Sequence, residues 1–472
     1  MMNRRRFLQQ GGSTLASARL IGTALAPGMF LSDAVGALKG TAKAITINSH
    51  EHFGDLEERL DFPAAWDIHV QNMAGYDAPA LGRDEIRRRV QAPIGSRSLQ
   101  EIAAGKKSAV ITFDDLTRPT PTYEVAPLVV EELLAAGVPE DRIIFMGSYG
   151  CHCILERDEM VRKLGKEITR RFPCINHNVW DNLKDIGVTR RKNLVKVNQT
   201  FDAADVRVTI SGVKIHFMAG FGGGAKAVLP GVSSIETIYY NHTVLPSGKP
   251  LAGVVPLFNN EVRLDMIDAA RMARVDFSVQ IVYNGKRRTC GVFAGDIVEA
   301  HHAACRMAVK HYCTAKLDNP DIVVCNGYPQ VRDTTLGGEW VASVREGGTG
   351  VLILQNPQGL STWHFLKEKV QYKNGRTYFD TLAGPPSMPP AVVHDMHAEI
   401  NPLPRDVQLI VYSQYLDKQQ MVNYPRNTQF AFTWDEVIRH LQARHKADAR
   451  VAVYPCGPIQ HSQTRLDEPS GS

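Results

Sequence analysis

Three segments of this 472-residue chain carry residues that could do chemistry, and the richest runs from His216 through Gly222-Gly223-Gly224-Ala225-Lys226 to His242. Three glycines ahead of a lysine let backbone amides approach an anionic group closely, while the lysine adds a point charge or an amine for covalent attachment. The segment reads as a cofactor site. A P-loop is a poor alternative, because that motif needs Ser or Thr after its lysine to hold magnesium, and Ala227 stands there. A second segment, Asp114-Asp115-Leu116-Thr117-Arg118-Pro119, offers a carboxylate and a planar guanidinium matched to carboxylate or phosphate. The third, Gly150-Cys151-His152-Cys153, adds an imidazole that titrates near neutrality.

The elements around these residues place them on loops. An apolar run ending at Phe113 reads as a buried strand, and Val125, Leu128, Val129 and Leu133 recur at helical spacing before a stop at Gly137 and Pro139. Asp115 and Arg118 therefore lie between a strand and a helix. Arg142 to Met146 is expected to form the next strand, with His152 in the loop after it and a helix from Leu155 to Leu164 closed by Gly165. A further strand, Val206 to Ile210, ends just before His216. In open α/β sheets ligands bind beyond the carboxyl ends of the strands, so the three loops can converge on one crevice.

These residues resemble the nickel-dependent lactate racemase family. The resemblance is carried by Pro93-Ile94-Gly95-Ser96 with Leu99, the 114–121 run, Gly150-Cys151-His152 and the whole 216–242 block. Val292-Phe293-Ala294-Gly295-Asp296 with Ala300-His301, and Gly327-Tyr328-Pro329, extend it. It implies a nickel-pincer nucleotide (nickel pyridinium-3,5-bisthiocarboxylic acid mononucleotide) tethered through a thioamide on Lys226, with Asp115 and Gly222, Gly223 and Gly224 in the cofactor pocket. His242 would complete the nickel coordination, and soft sulfur donors plus a neutral imidazole suit flat nickel. It also implies that His152 and His216 act as acid and base on opposite faces of a 2-hydroxy acid, with Arg118 in the substrate pocket. Asp115 could accept from ribose hydroxyls or orient a histidine. Enzymes that make the nickel cofactor are the implied partners.

The chain departs from the family after Gly-Tyr-Pro. Lactate enzymes carry a tyrosine-glutamine pair and a lysine there, whereas this chain reads Gln330-Val331-Arg332-Asp333-Thr334-Thr335-Leu336-Gly337-Gly338-Glu339-Trp340. Glu339 stands near the place of the lysine. Lactate is thereby put in doubt as substrate, and a polyhydroxylated or aromatic 2-hydroxy acid, held by Arg332 or Arg118, takes its place. The alternative from another class is a periplasmic protein that binds a sugar acid or the cofactor without turnover.

The amino terminus, Asn3-Arg4-Arg5-Arg6-Phe7-Leu8, has the paired arginines of a twin-arginine export signal, followed by a weakly apolar stretch and small residues at Val35-Gly36-Ala37. Residues 1–37 are expected to be a signal that delivers the folded enzyme to the periplasm through the twin-arginine translocase. Arg19, Gly22 and Pro27 interrupt the stretch, so no stable membrane anchor is expected. Loss of those residues would lower the formal charge from +5 to +2, and no long basic run marks a nucleic-acid partner.

With 44% hydrophobic residues the rest suffices for two α/β domains of mostly parallel sheets, the active site lying in the crevice between them. A cofactor-binding domain over 38–270 and a second α/β domain over 271–465 are expected. The boundary is placed near 265–275, after a helical run from Leu264 to Ala273. A hairpin around Asn284-Gly285, a helix from Asp296 to Tyr312 and strands at 321–325, 350–355, 406–412 and 450–454 would follow, with a loop at 384–404 and a frayed tail at 466–472. Eight cysteines do not form a disulfide framework and are expected to be mostly buried thiols. His50-Glu51-His52 and Cys151/Cys153 could bind a metal but lack further ligands in the sequence.

Overall fold

Continuous apolar runs form strands buried on both faces, and these make up two six-stranded sheets. Ala109–Phe113 is buried along its whole length and lies centrally in the first sheet, between Ile143–Gly147 and Val206–Gly212. Cys174–Asn176 flanks it on one side, while Phe277–Tyr283 and Thr289–Gly295 complete the other. All pairings in this sheet are parallel except the last hairpin. In the second sheet Ile322–Asn326 lies between Thr349–Ile353 and Arg450–Tyr454, with Gln408–Tyr412, Gln429–Ala431 and Asp67–Val70 outside them, and every pairing is parallel. The computed structural model describes residues 43–216, 218–245, 260–331, 338–358, 406–416, 421, 424 and 427–462. The export signal, Arg332, the side chain of Glu339, the 384–404 loop and the 466–472 tail lie outside the described residues.

The α/β class stands, but the sheets do not correspond to contiguous halves of the chain. The hairpin expected to open a second domain near residue 270 instead extends the first sheet, because Phe277–Ile281 pairs in register with Val208–Gly212. Helix Glu299–His311 packs on that same hairpin, so the chain changes sheets only after it. Conversely, Asp67–Val70 pairs with Arg450–Val453 at the edge of the second sheet. Both sheets fall within one compact unit, Thr41–Ser472. The helix after His152 begins at Arg157 and is closed, as expected, by Gly165 at φ 85°, ψ 160°, and a second helix runs on from it to Arg171.

Each sheet has a point where the strand order reverses. In the first it lies between Ala109–Phe113 and Val206–Gly212, and in the second between Ile322–Asn326 and Arg450–Tyr454. The loops leaving the strands at these points are joined by one turn, residues 48–55, in which His50, His52 and Asp55 all take positive φ. Asn326 Nδ2 donates to the Asn48 carbonyl at 2.7 Å, and Asn48 Nδ2 donates to Gly285 at 3.0 Å. The Val331 amide donates to Glu51 at 3.0 Å, and Tyr328 Oη and Arg287 both meet Asp55, at 3.0 and 3.1 Å. His52 Nε2 donates to the Arg118 carbonyl at 3.2 Å, and His50 bonds Tyr415 at 2.9 Å. The histidine triplet is thus a bracket between loops, and among the described residues no cluster of three metal-ligating side chains is found.

The bracket has a titratable centre. Glu51 is 5% exposed, and burial, opposed by Arg287 and the Val331 amide, pushes its carboxyl up to about 8. A carboxyl raised on folding contributes stability that is present below its unfolded value of 4.5 and is lost as pH climbs through about 8. The wild type is therefore expected to lose on the order of a few kcal/mol of unfolding free energy across that window. Glu51→Gln, which keeps an oxygen for Val331 but cannot ionise, should lose distinctly less. Denaturant titrations of both proteins at about pH 5 and about pH 9 check this; parallel losses would contradict it.

Candidate active site

The loop leaving Phe113 at the first reversal point carries a linked set of polar groups. Arg118 donates to Thr117 Oγ1 at 2.8 Å, Thr117 donates through both its hydroxyl and its amide to Asp115 Oδ1, and His152 Nδ1 donates to Asp115 Oδ2 at 2.6 Å. Asp115 is 3% exposed. Burial opposes its charge, yet His152, Arg118 and Thr117 together outweigh burial and hold the carboxyl well below the usual carboxylate range. Asp115 therefore orients His152, one of the two roles open to it, and holds the His152 proton on Nδ1. The backbone beneath is tied down as well: Lys163 Nζ donates to the Arg118 carbonyl at 2.8 Å and pairs with Asp114 at 2.6 Å.

The loop leaving Val206–Gly212 supplies His216, Lys226 and His242. His216 lies on a two-residue strand paired with Gly220–Phe221, and its Nδ1 accepts from the amides of Met218 and Ala219, each at 3.2 Å. Lys226 lies on a short 3-10 turn, Gly224–Ala227. His242 lies on a π-helical turn, Tyr240–Val244, that continues a helix capped by Ser234. Single π turns of this kind mark functional positions in many helices. Burial, then the charges of Lys226, Arg118, Lys214 and His242, drives the His216 ring well below its ordinary pKa. Lys226 is depressed likewise by burial, then by Arg263, Arg118 and Lys214. The residues singled out in the sequence thus converge, since Arg118 acts on both His216 and Lys226 while its own loop holds the Asp115 and His152 pair.

The amides of Gly222 and Gly224 do a different job from the one expected. The Gly222 amide donates to Lys214 at 2.7 Å and the Gly224 amide to Gln280 Oε1 at 2.8 Å, so neither is offered to an anion. Gly223 and Gly224 have φ of 73° and 59°, and a Cβ on Gly224 would come within 2.6 Å of the His301 ring. Glycine is required here by backbone conformation and close packing. His301 Nε2 donates to the Gly222 carbonyl at 2.8 Å from beneath the loop.

Arg263 completes the support. It is 1% exposed and donates to three carbonyls of the loop, Ala219 and Gly223 each at 3.1 Å and Phe221 as well. Loss of such a buried side chain strands three acceptors at roughly 1–3 kcal/mol apiece.

Sequence reading missed Arg263, Lys214, Gln280 and His301. A signal existed for the first, since Arg263 shares a helical stripe with buried Met266 and Ala270, where an unpaired charge is costly. His301 enters the sequence reading only as part of the family resemblance, with no role in the site. All eight cysteines are free thiols, but only Cys305, Cys325 and Cys456 are fully buried, fewer than expected, and Cys153 is exposed.

Residues 53–251 match the profile of the lactate racemase N-terminal domain. The lactate racemase of Thermoanaerobacterium thermosaccharolyticum is 30% identical over 302 residues, covering 61% of this chain and 70% of that one. The chain belongs to the lactate racemase family. The lactate racemase of Lactiplantibacillus plantarum is 27% identical over 399 residues, covering 82% of this chain and 92% of that one. Two solved structures share the fold. One is the lactate racemase apoprotein of T. thermosaccharolyticum, at TM-score 0.63 and 22% identity over 89% of this chain and all of that one. The other is a Thermotoga maritima protein, at TM-score 0.57 and 17% identity over 81% of this chain and 99% of that one. Membership makes this protein an isomerase of the racemase and epimerase class, in place of a binding protein without turnover.

Proposed function

We propose that this enzyme racemises or epimerises a 2-hydroxy acid other than lactate, using a nickel-pincer nucleotide held by Lys226 and His242. The observation that carries the reading is the place of Lys226, on the Gly224–Ala227 turn braced by Arg263, where burial and then the charges of Arg263, Arg118 and Lys214 push its amine well below its ordinary pKa. A neutral amine is what thioamide formation requires, and the positive charge of Arg118 and Lys214 suits a phosphate-bearing group. The imidazole of His242, displayed on its π turn, is a donor suited to the last position on flat nickel. When bound, the group supplies an acceptor for the hydride on C2 of the substrate.

The protein's own residues handle the rest. Asp115 holds the His152 proton on Nδ1, which leaves the Nε2 lone pair to take the hydroxyl proton, and stabilises the imidazolium that results. His216 stands ready on the same crevice, and Arg118 offers its fork to the substrate carboxylate. A substrate other than lactate is supported by Glu339, which stands near the place of the lysine that follows Gly-Tyr-Pro in lactate enzymes. A larger acid with polar or aromatic groups is the class that a run containing Arg332 and Glu339 would accept.

Enzyme loaded by co-expression with the cofactor-synthesis enzymes should destroy the optical purity of at least one polyhydroxylated or aromatic 2-hydroxy acid faster than that of lactate. A substrate deuterated at C2 should keep its deuterium in ordinary water, because the same hydrogen leaves and returns. Progressive washout of the label would overturn the hydride route, and faster turnover of lactate than of any larger acid would overturn the substrate class.

Export through the twin-arginine route to the periplasm belongs to the same proposal, and Arg4-Arg5 with Phe7-Leu8 support it. That route carries folded proteins, which suits an enzyme loaded in the cytoplasm. Replacing Arg4 and Arg5 by lysine should strand an active precursor in the cytoplasm; unimpaired secretion of that variant would count against the signal.

A further inference from the structure

The turn that carries Asp115, Thr117 and Arg118 is closed on itself. The Arg118 amide donates to the Asp115 carbonyl at 3.1 Å, and Thr117 donates through its amide and hydroxyl to the Asp115 carboxylate. Arg118 Nη1 donates in turn to Thr117 Oγ1 at 2.8 Å and to the Thr117 carbonyl at 3.2 Å. Guanidinium and backbone are thereby linked into one body, and whatever holds the turn in place holds the guanidinium with it.

One side chain grips both ends of this turn. Lys163 Nζ pairs with the Asp114 carboxylate at its entry, at 2.6 Å, and donates to the Arg118 carbonyl at its exit, at 2.8 Å. The other Asp114 oxygen accepts from the Thr120 hydroxyl at 2.6 Å and from the Gly212 amide at 3.2 Å, so the same carboxylate reaches the end of the neighbouring strand. A Cβ at Gly212 would come within 2.3 Å of Thr120 Oγ1, which makes glycine the residue that permits this approach.

Lys163 lies on the buried stripe of its helix with Met160 and Leu164 and is 0% exposed. An apolar side chain would fill that place without the desolvation that a buried ion pair suffers, and such pairs are often no more stabilising than well-packed apolar residues. Stability is therefore a poor reason for an ammonium here, whereas the placing of its two partners is a good one.

We propose that Lys163 and Asp114 are positioning residues for Arg118, holding the turn so that its guanidinium meets the substrate carboxylate. The inference rests on the 2-hydroxy acid reading above and adds to it the part of the fold that sets the grip on the acid group. The carboxylate keeps its charge throughout the reaction. Loss of the grip thus weakens bound substrate and transition state alike, and it falls on KM.

Lys163→Met alone strands the Asp114 charge and should unfold at lower denaturant, so the informative full-length variant combines it with Asp114→Asn, which keeps an acceptor for Gly212. With both charges gone the unfolding midpoint should return close to that of the wild type. In cofactor-loaded enzyme the KM for the acid turned over best should rise by about tenfold or more, while kcat changes by about threefold or less. Calorimetric titration with mandelate and gluconate, each against its neutral amide, reads the same grip without turnover. The wild type should prefer an acid over its amide by about tenfold or more, and the double variant should lose most of that preference.

A double variant that keeps the wild-type KM and preference overturns the inference, as does one that stays destabilised, which would make the pair a structural tie. A wild type that binds the acids no better than the amides overturns it as well. Preference for the acids, lost in the double variant, in a protein that racemises none of them would support the positioning pair and count against the reaction.

Discussion

Burial, and then the charges of Arg263, Arg118 and Lys214, disfavour the protonated form of the Lys226 amine, so a bond that removes its charge relieves the positive field around it. Much of the described structure around the crevice serves that constraint. Arg263 cannot move away, because it holds three carbonyls of the loop that presents the lysine. Gly223 and Gly224 cannot be replaced by larger residues, because both take positive φ and a Cβ would run into Gln280 at the first and into the His301 ring at the second. The cluster of positive charge is therefore built in at the cost of stability, a pattern typical of functional sites and rare elsewhere.

The site draws on both sheets through the 48–55 turn. Strand order reverses at one point in each sheet, and loops leaving a reversal point diverge and open a crevice. Glu51 and Asp55 tie the Gly327–Val331 loop of the second sheet, while His52 reaches the carbonyl of Arg118 on the first. Arg287 spans the same region, donating to Pro119 at 3.1 Å and pairing with Asp55. The backbone of the Arg118 loop is thus coupled to the segment that precedes Arg332. Divergence after Gly-Tyr-Pro can then change the substrate without disturbing the cofactor end of the crevice.

The buried parallel strands were legible because unbroken apolar runs such as Ala109–Phe113 announce themselves, and the loops after them were legible by difference. Asp115, Arg118, His152, His216, Lys226 and His242 could be singled out because their spacing is specific. Long-range pairing was not legible. Nothing in Phe277–Tyr283 tells which strand it will join, and Asp67–Val70 is too short and too polar to read as a strand of a distant sheet. The supporting residues were hidden for a related reason. Arg263 and Lys214 act through backbone carbonyls and field, and the triple glycine, whose pattern suggested an anion cradle, is a packing device. His50-Glu51-His52 looked like metal ligands because spacing alone cannot show that each side chain already has a partner in a loop far along the chain.

The central claim is that the enclosed amine of Lys226 is the point of attachment for a covalently held nickel cofactor, and intact-mass and metal analysis of protein co-expressed with the cofactor-synthesis enzymes tests it most directly. The account predicts an adduct with nickel on the wild type, the adduct without nickel on His242→Ala, and an unmodified chain for Lys226→Ala. An adduct that survives in Lys226→Ala, or a wild-type chain that stays unmodified while it turns over substrate, would contradict it.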